Sequence, residues 1–582
     1  MKLTDGKLLL MVVLISQVVL VGCVEKTDQE VEVLKETVMV PMRDGVRLDT
    51  NIFRQNGTSR PMPVLLLRTP YKQEKYESQA KRIAAAGYIA VMQDSRGRFG
   101  SEGEWPHYWD EGPDGFDTVV WIREQPWCNG KIGMWGPSYM GSVQWLAAGE
   151  GAPLTAFAPT AGAPHFYYNV YQSGALILAL VRAGFGADLY GPPPEAAKSP
   201  NWPKYYLHLP LTEIDKAVGY EAPWQMSMIK NYRPTAFWKR ANIYPDIGTM
   251  TQPGQYLVGY FDFLCRETVR GFLKMTEESA SEYSRSHQQL VIGPWGHGTG
   301  KRKVGDFDFG PEAEVDMVEE TLAWYDNILK KERESHDPFP AVRYFSMGEN
   351  RWHTATHWPP AEAEHTLFYL VSSGSAVTER GDGRLQRKSP TSDTVPSDVF
   401  KSDPADPVPT VPAEGTEYRD SFEPTDQREA WKRKDVLIYK TAPLESPIDF
   451  AGPIIAEIFG SADVVDADWV VKLIDLHPDG TARPLTTGLL RASARESDLY
   501  RQFLKPGQVY KLTIDVGHTA ARIDIGHVLA VQIAGSNFPI HDRNLHTGEG
   551  PEGTRMLVAN QKVWHTPEYA SRIILPLIKR RD

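Results

Sequence analysis

A parallel α/β domain followed by an all-β domain is the fold this sequence predicts. Three observations point to it. Between Pro63 and Ala148, short apolar runs alternate with helical patterns. One of those runs, Ile132-Gly133-Met134-Trp135, turns through Gly136-Pro137-Ser138-Tyr139-Met140-Gly141 into a helix-forming stretch. From about Arg351 the helical periodicity stops, and short alternating segments recur between Gly, Pro and Asp turns. Strands alternating with helices build a parallel sheet through right-handed crossovers. Many short strands between turns build a β-sandwich.

The length of 582 residues exceeds what one core supports, so two or three domains are expected. A charged fraction of 24% and a hydrophobic fraction of 41% belong to a folded globular chain. The net charge of −11 argues against nucleic acid as a partner. Three cysteines are too few for a disulfide scaffold.

Residues 1–22 read as an export signal. Lys2 and Lys7 supply a positive start. Leu8–Val21 is an apolar stretch of about 14 residues, short of the roughly 18–20 that span a bilayer. It ends in Leu20-Val21-Gly22-Cys23, which resembles a bacterial lipobox. Cleavage before Cys23 would expose a thiol for lipidation. The expectation is an exported lipoprotein, anchored on the periplasmic face or at the cell surface. Val24–Glu36 is polar and reads as a tether.

Thr37–Gln55 alternates apolar and polar residues around Arg43-Asp44-Gly45, a hairpin signal with an Asp-Gly turn. Pro63–Arg68 and Tyr88–Gln93 are continuous apolar runs, as strands buried on both faces show. Tyr76–Ala86 and Asp114–Glu124 are helical in period. Between them the glycine-rich loop Asp94–Gly103 reads as a scaffold beside the site. The alternation breaks after about Pro164. Tyr167–Gly184 is a long apolar helical pattern, and a helical insertion is expected up to about Ala241. Tyr256–Val258 and Leu290–Ile292 return to strand, and Glu312–Lys330 is a helix. In the second half, strands are expected at His365–Val371, Ile454–Phe459, Trp469–Asp475, Val509–Ile514, His527–Gly535 and Arg572–Leu577. Ser389–Pro412 reads as a long proline-rich loop.

The chemistry centres on Ser138. A strand, a sharp turn on Ser and a helix form the context of a nucleophile elbow, here spaced G-x-S-x-x-G. Serine needs a histidine base, and the histidine needs a carboxylate to orient it. In α/β-hydrolases the chain order is Ser, acid, His. Asp262 follows one late strand and His297 the next. Both therefore sit at carboxyl ends of strands, where open α/β sheets place their sites. His353 and His357 have i,i+4 spacing but no third ligand nearby, so neither a metal nor any other cofactor is expected. Cys128 and Cys265 fall at opposite ends of their strands, roughly 20 Å apart. A disulfide needs about 7 Å, so two free thiols are expected.

With these residues in place, the chain resembles the family of cocaine esterase, α-amino-acid ester hydrolase, glutaryl-cephalosporin acylase and X-prolyl dipeptidyl-peptidase. The matching motifs are RTPY at Arg68–Tyr71, DSRGRFGSEG at Asp94–Gly103, GMWGPSYMG at Gly133–Gly141, GYFD at Gly259–Asp262 and GPWGH at Gly293–His297. MGENRW at Met347–Trp352 and NFPIHDRN at Asn537–Asn544 also match. The resemblance implies an α/β-hydrolase domain over residues 23–165 and 246–351, a helical cap over 166–245 and a jelly-roll β-sandwich over 352–582. It implies Ser138 as nucleophile, His297 as base and Asp262 as its partner. The oxyanion hole would use the backbone N–H of Tyr139 and the phenol of Tyr71. Relatives acting on α-amino acid esters carry acidic residues where this chain has Phe263-Leu264-Cys265, which puts α-amino recognition in doubt. Phe263 and Leu264 are pocket candidates. Trp224 and Trp238, with Phe237, either line an acyl pocket or form helix core.

The expected function is a membrane-tethered serine hydrolase acting on a small-molecule ester or amide. An X-prolyl dipeptidyl-peptidase-like exopeptidase is the enzymatic alternative, and a binding lipoprotein with a vestigial hydrolase domain is the other. The sequence leaves the oligomeric state open, a homo-oligomer included.

Overall fold

The computed structural model describes residues 31–105, 107–186, 202–332, 338–411 and 421–579. Cys23 and the lipobox lie outside the described residues. Among the described residues no helix is long and apolar enough to cross a membrane.

The first domain is built on a ten-stranded sheet, ordered β1-β2-β4-β3-β5-β6-β9-β10-β13-β14. It opens with a hairpin that begins at Val33, four residues inside the stretch expected to be tether. Strands β1 (Val33–Pro41) and β2 (Arg47–Gln55) pair from Val33↔Gln55 to Pro41↔Arg47. Gly45 closes the turn at φ 88°, a conformation that costs glycine nothing. Next come β3 (Met62–Thr69), β4 (Ile89–Asp94), β5 (Cys128–Pro137), β6 (Ala156–Thr160), β9 (Gln255–Gly259), β10 (Gln289–Gly293) and β13 (Val342–Ser346), all mutually parallel. β14 (Arg351–Ala355) returns antiparallel on β13, so the first domain runs to Ala355, past the expected change at Arg351.

Both faces of the central parallel strands are covered, which is why β3 and β4 are buried along their whole length. Val64, Leu66, Val91 and Met134 pack under α2 (Glu111–Arg123) and α3 (Tyr139–Gly149). Leu65, Leu67, Ala90 and Met92 pack under α1 (Glu77–Ala85) and α11 (Met317–Lys330). Each fully buried Val or Leu contributes about 1.5–3 kcal/mol relative to exposure. α11 starts at Met317, later than the expected Glu312. Asp316 accepts from the backbone N–H of Val318 and Glu319 and so caps it, while Pro311–Ala313 forms a separate 3₁₀ turn. Helices α9 (Cys265–Glu278) and α10 (Glu282–Ser286) follow β9, and a small hairpin, β11 (Lys303–Val304) with β12 (Phe307–Asp308), follows β10.

The cap lies between β6 and β9. It comprises α4 (Phe166–Val170), the hairpin β7 (Tyr171–Gln172) and β8 (Ala175–Leu176), then α5 (Ala179–Gly186), α6 (Trp202–Tyr206), α7 (Ile214–Val218) and α8 (Pro223–Lys230). The single long helix expected over Tyr167–Gly184 is therefore broken. Ser173 and Gly174 turn back at φ 45° and 86°, and Tyr171 pairs with Leu176. Contacts from the second domain override the helical period. Leu176 N–H donates to Asp542 Oδ1 at 2.7 Å, Asp542 N–H donates to the Leu176 carbonyl at 2.9 Å, and Arg491 N–H donates to the Ser173 carbonyl at 3.1 Å.

The second domain is all-β. Its strands are β15 (Ala363–Val371), β16 (Arg384–Gln386), β17 (Ser397–Ser402), β18 (Val436–Lys440), β19 (Ile448–Ala462), β20 (Asp468–Leu476), β21 (Ala482–Arg491), β22 (Tyr510–Ile523), β23 (Val528–Ala534), β24 (Ala559–Trp564) and β25 (Arg572–Ile578). β17 lies inside the segment expected to be loop. It is short and polar in sequence, and becomes a strand by pairing along β24, with Asp398, Phe400 and Ser402 turned inward. The motif MGENRW joins the domains: Met347 N–H donates to the Ala520 carbonyl at 3.0 Å, and Arg522 N–H donates to the Met347 carbonyl at 2.7 Å.

Candidate active site

Four parallel strands deliver the candidate residues to one edge of the sheet. Tyr71 follows β3, Ser138 follows β5, Asp262 follows β9 and His297 follows β10. Ser138 has φ 60° and ψ −123°, a strained conformation for a residue with a side chain. Such strain costs about 1–3 kcal/mol and persists only where the surroundings over-determine it. Here Ser138 N–H donates to the Thr160 carbonyl at 2.9 Å, and the Ser138 carbonyl accepts from Gly141 and Ser142 N–H at 2.9 Å each. The unusual spacing has a physical cause. A Cβ at position 141 would lie 2.9 Å from Gly162 Cα and from the Thr160 oxygen, both backbone atoms. A Cβ at position 136, where φ is 128°, would press on Met140 Cβ at 2.8 Å. Glycine is therefore needed two before and three after the serine.

His297 Nε2 lies 3.0 Å from Ser138 Oγ, and His297 Nδ1 lies 3.0 Å from Asp262 Oδ2. Asp262 Oδ1 accepts from Leu264 N–H at 2.8 Å, which fixes the carboxylate plane. Burial opposes charging of the His297 ring, but the charge and hydrogen bond of Asp262 outweigh it and raise the pKa above the ordinary value. One edge of the ring still faces the cavity, the side chain being 37% exposed, so solvent moderates both effects.

Tyr139 is the first residue of α3, and its N–H has no partner within the helix. Its phenol donates to Glu111 Oε1 at 2.8 Å, and Glu111 meets Arg68 Nη1 at 2.7 Å, with the Arg68 and Glu111 side chains 0% and 3% exposed. Removing either partner would strand a buried charge at about 3–5 kcal/mol. Tyr71 N–H donates to Thr69 Oγ1 at 3.0 Å, and its ring meets that of Tyr139 edge-on at 6.0 Å. Burial pushes the Tyr71 phenol up, so it stays protonated and able to donate. The Asp94–Gly103 loop holds this turn. Arg98 Nε donates to the Pro70 carbonyl at 3.1 Å, and Asp94 Oδ1 accepts from Gln73 N–H at 2.8 Å.

Ser138 Oγ and His297 face a cavity of about 300 Å³ beneath the cap. Phe263, Leu264 and Trp224 line it, as does Phe422 from the second domain. Trp238 and Phe237 do not. Trp238 is 1% exposed in the cap core, its indole N–H donating to the Asn231 carbonyl, and Phe237 packs against Trp109 and Trp224. The helix-core reading therefore holds for both. Among the lining residues not read from the sequence are Trp105, His107 and Tyr108. The His107 ring stacks on Trp224 at 4.4 Å, and burial followed by the Arg98 charge pushes its pKa down to about 3. The signal was present as the aromatic run Glu104-Trp105-Pro106-His107-Tyr108-Trp109, just after the scaffold loop. A smaller polar cavity of about 110 Å³ lies behind Phe263 and Phe422, between the domains, and Ser138 does not line it. Cys128 and Cys265 are both free thiols.

A serine held by histidine and aspartate at the carboxyl edge of a parallel sheet, under a helical cap, defines a serine hydrolase of the α/β-hydrolase class. Residues 44–299 match the X-Pro dipeptidyl-peptidase (S15) family, and residues 336–574 match the X-Pro dipeptidyl-peptidase C-terminal non-catalytic domain. The chain is 33% identical over 576 residues to the cocaine esterase of Rhodococcus sp. (strain MB1 Bresler), across 93% of this chain and 98% of that one. It belongs to the X-Pro dipeptidyl-peptidase (S15) family and is a homologue of cocaine esterase. Among solved structures, an aminopeptidase from the marine sediment archaeon Thaumarchaeota archaeon is similar at 25% identity and TM-score 0.81, covering 95% of this chain and 97% of that one. An α-amino acid ester hydrolase is similar at 25% identity and TM-score 0.80, covering 97% and 100%.

Proposed function

We propose that this protein is an exported, membrane-tethered serine hydrolase that cleaves carboxylic esters through an acyl-enzyme on Ser138. The observation that carries the proposal is the unbroken chain of contacts from Ser138 Oγ through His297 to Asp262. His297 Nε2 removes the hydroxyl proton as Oγ attacks the carbonyl carbon. The Tyr71 phenol and the Tyr139 N–H stabilise the resulting oxyanion. Collapse expels the alcohol, which takes the proton from His297. Water then repeats the sequence and frees the acid.

The ester reading is preferred to the exopeptidase because of the lining. An exopeptidase that reads a free N-terminus must pair its ammonium, and among the described residues no Asp or Glu lines the cavity. The test is labelling of Ser138 by a fluorophosphonate together with a panel of esters and Xaa-Pro amides. Stoichiometric labelling with faster turnover of esters is expected. Preference for Xaa-Pro amides would favour the exopeptidase, and absence of labelling would favour the binding lipoprotein.

The acid limb of the pH profile should report His297. The neutral ring is the working base, and its pKa is raised, so activity falls about tenfold per pH unit from a point above the usual 6.5 or so. Asp262→Asn removes the charge that raises it, so the residual activity should titrate at lower pH. An unshifted limb in that variant would assign the limb to another group.

The anchor is tested separately. Wild-type protein should partition into detergent with a lipid-modified Cys23, and Cys23→Ser should stay aqueous. An unmodified mature N-terminus by mass spectrometry in the native host would remove the tether from the proposal.

A further inference from the structure

The cavity under the cap holds three buried amide atoms, on two residues, that make no hydrogen bond among the described residues. Asn169, on α4, is 4% exposed, and Gln225, on α8, is 1% exposed. Both line the cavity that contains Ser138. Asn169 Oδ1, Gln225 Oε1 and Gln225 Nε2 make no hydrogen bond among the described residues. The rest of the lining is largely apolar and includes Val170, Leu180, Val181 and Ile229. More than about 90% of buried polar groups in proteins are paired, and each exception calls for a reason. Methionine or leucine would fill position 225 with no desolvation cost. The fold instead makes room for the amide: a Cβ on Gly184 of α5 would lie 2.3 Å from Gln225 Nε2.

The reaction geometry says which half of the substrate reaches them. The leaving oxygen must face His297 Nε2, which donates its proton. The His297 ring lies 4.8 Å from Phe263, and Phe263 lies 5.0 Å from Phe422, so the alcohol departs along that wall. The acyl substituent is then left the rest of the lining, which includes His107, Trp224, Asn169 and Gln225.

We propose that Asn169 and Gln225 form a polar subsite of the acyl pocket, which binds a neutral carboxamide at the end of an otherwise apolar acyl chain. The proposal rests on the serine-hydrolase reading of Ser138. A carboxamide matches the three free atoms: its carbonyl accepts from Gln225 Nε2, and its two N–H groups donate to Gln225 Oε1 and Asn169 Oδ1. A hydroxyl serves two of the three. A carboxylate or ammonium would enter without a counter-charge, because among the described residues neither Lys or Arg nor Asp or Glu lines the cavity. Water can serve these amides in the free enzyme, so selectivity is set by whether the acyl group that displaces it remakes the bonds.

The experiment compares p-nitrophenyl esters that end in a carbamoyl group with isosteric esters that end in isopropyl, over a series of chain lengths. At the matching length the carbamoyl ester should be favoured in kcat/KM by about 10–100-fold, although it is the less hydrophobic of the pair. Gln225→Met should abolish that ratio, and Asn169→Leu should reduce it. Fluorophosphonate labelling of Ser138 in each variant shows that the site is folded. Preference for isopropyl at every length, or a carbamoyl preference that survives Gln225→Met, overturns the subsite while leaving the serine hydrolase standing. Failure to hydrolyse any ester, with Ser138 unlabelled in the wild type, overturns both. Labelling without hydrolysis of either series overturns the acyl assignment.

Discussion

Ser138→Ala is expected to lower kcat by about 10⁴–10⁶, and His297→Ala by a similar factor. The two losses should not add. Each variant breaks the same proton path, which runs from Ser138 Oγ across 3.0 Å to His297 Nε2. Once the serine is absent, the histidine has no hydroxyl to deprotonate, so the double variant should be little worse than either single one. What remains is the contribution of binding and of the oxyanion donors. Asp262→Asn should cost about 10⁴, because an amide at 262 can favour the wrong tautomer of His297. The geometry locates that effect: Leu264 N–H holds one carboxylate oxygen, so the other must face His297 Nδ1. Steady-state rates normalised by active-site titration of the wild type are the measurement. A folded Ser138→Ala protein within tenfold of wild type, free of host esterase, would end the assignment.

Tyr71→Phe is expected to cost about 10²–10³ in kcat, or roughly 3–4 kcal/mol of transition-state stabilisation. The second oxyanion donor in α/β-hydrolases comes from the loop after β3, where this chain has Arg68-Thr69-Pro70-Tyr71. Pro70 has no N–H, and Tyr71 N–H is already committed to Thr69 Oγ1. The phenol is the donor that this turn leaves facing the cavity. Substitution by phenylalanine deletes one hydroxyl and keeps the ring that packs against Tyr139, so folding should be preserved. KM should change less than kcat, because the bond strengthens as charge develops on the oxygen. A Tyr71→Phe enzyme within about threefold of wild type would mean that the phenol only packs.

The sequence made the sheet legible wherever one physical rule acted alone. Pro63–Leu67 is apolar throughout because helices cover both faces, and that run needs no other explanation. The elbow was legible because backbone–backbone approach between Gly141 and Gly162 admits no side chain. The cap was the place where local pattern misled. Tyr167–Gly184 has helical periodicity, yet Asp542 and Arg491 hold its middle as a hairpin, and those residues lie more than 300 positions away in sequence. The same distance hid the role of NFPIHDRN, whose Asp542 and His541 fasten that hairpin to the second domain. β17 escaped for the converse reason: Ser397–Ser402 carries little strand propensity and is strand only because β24 lies beside it. Within the pocket, spacing could nominate Trp224 and Trp238 but could not separate them. Which one faces the cavity depends on how short cap turns pack, and no period records that.

The wall of the cavity is shared among three parts of the chain: Phe263 from the first domain, Leu176 and Ile177 from the cap, and Phe422 from the second domain. Ligand affinity and domain cohesion are therefore thermodynamically linked. Anything that binds in the cavity must also tighten the association of the parts that form it, by RT ln(1 + [L]/Kd). Occupied enzyme should melt as one cooperative unit, with the β-domain protected along with the catalytic one. The link also runs in reverse. Truncation after Ala355 would not yield a minimal hydrolase, since it removes Phe422 and releases the cap hairpin from Asp542. In this chain the second domain supplies part of the wall of the cavity that Ser138 faces.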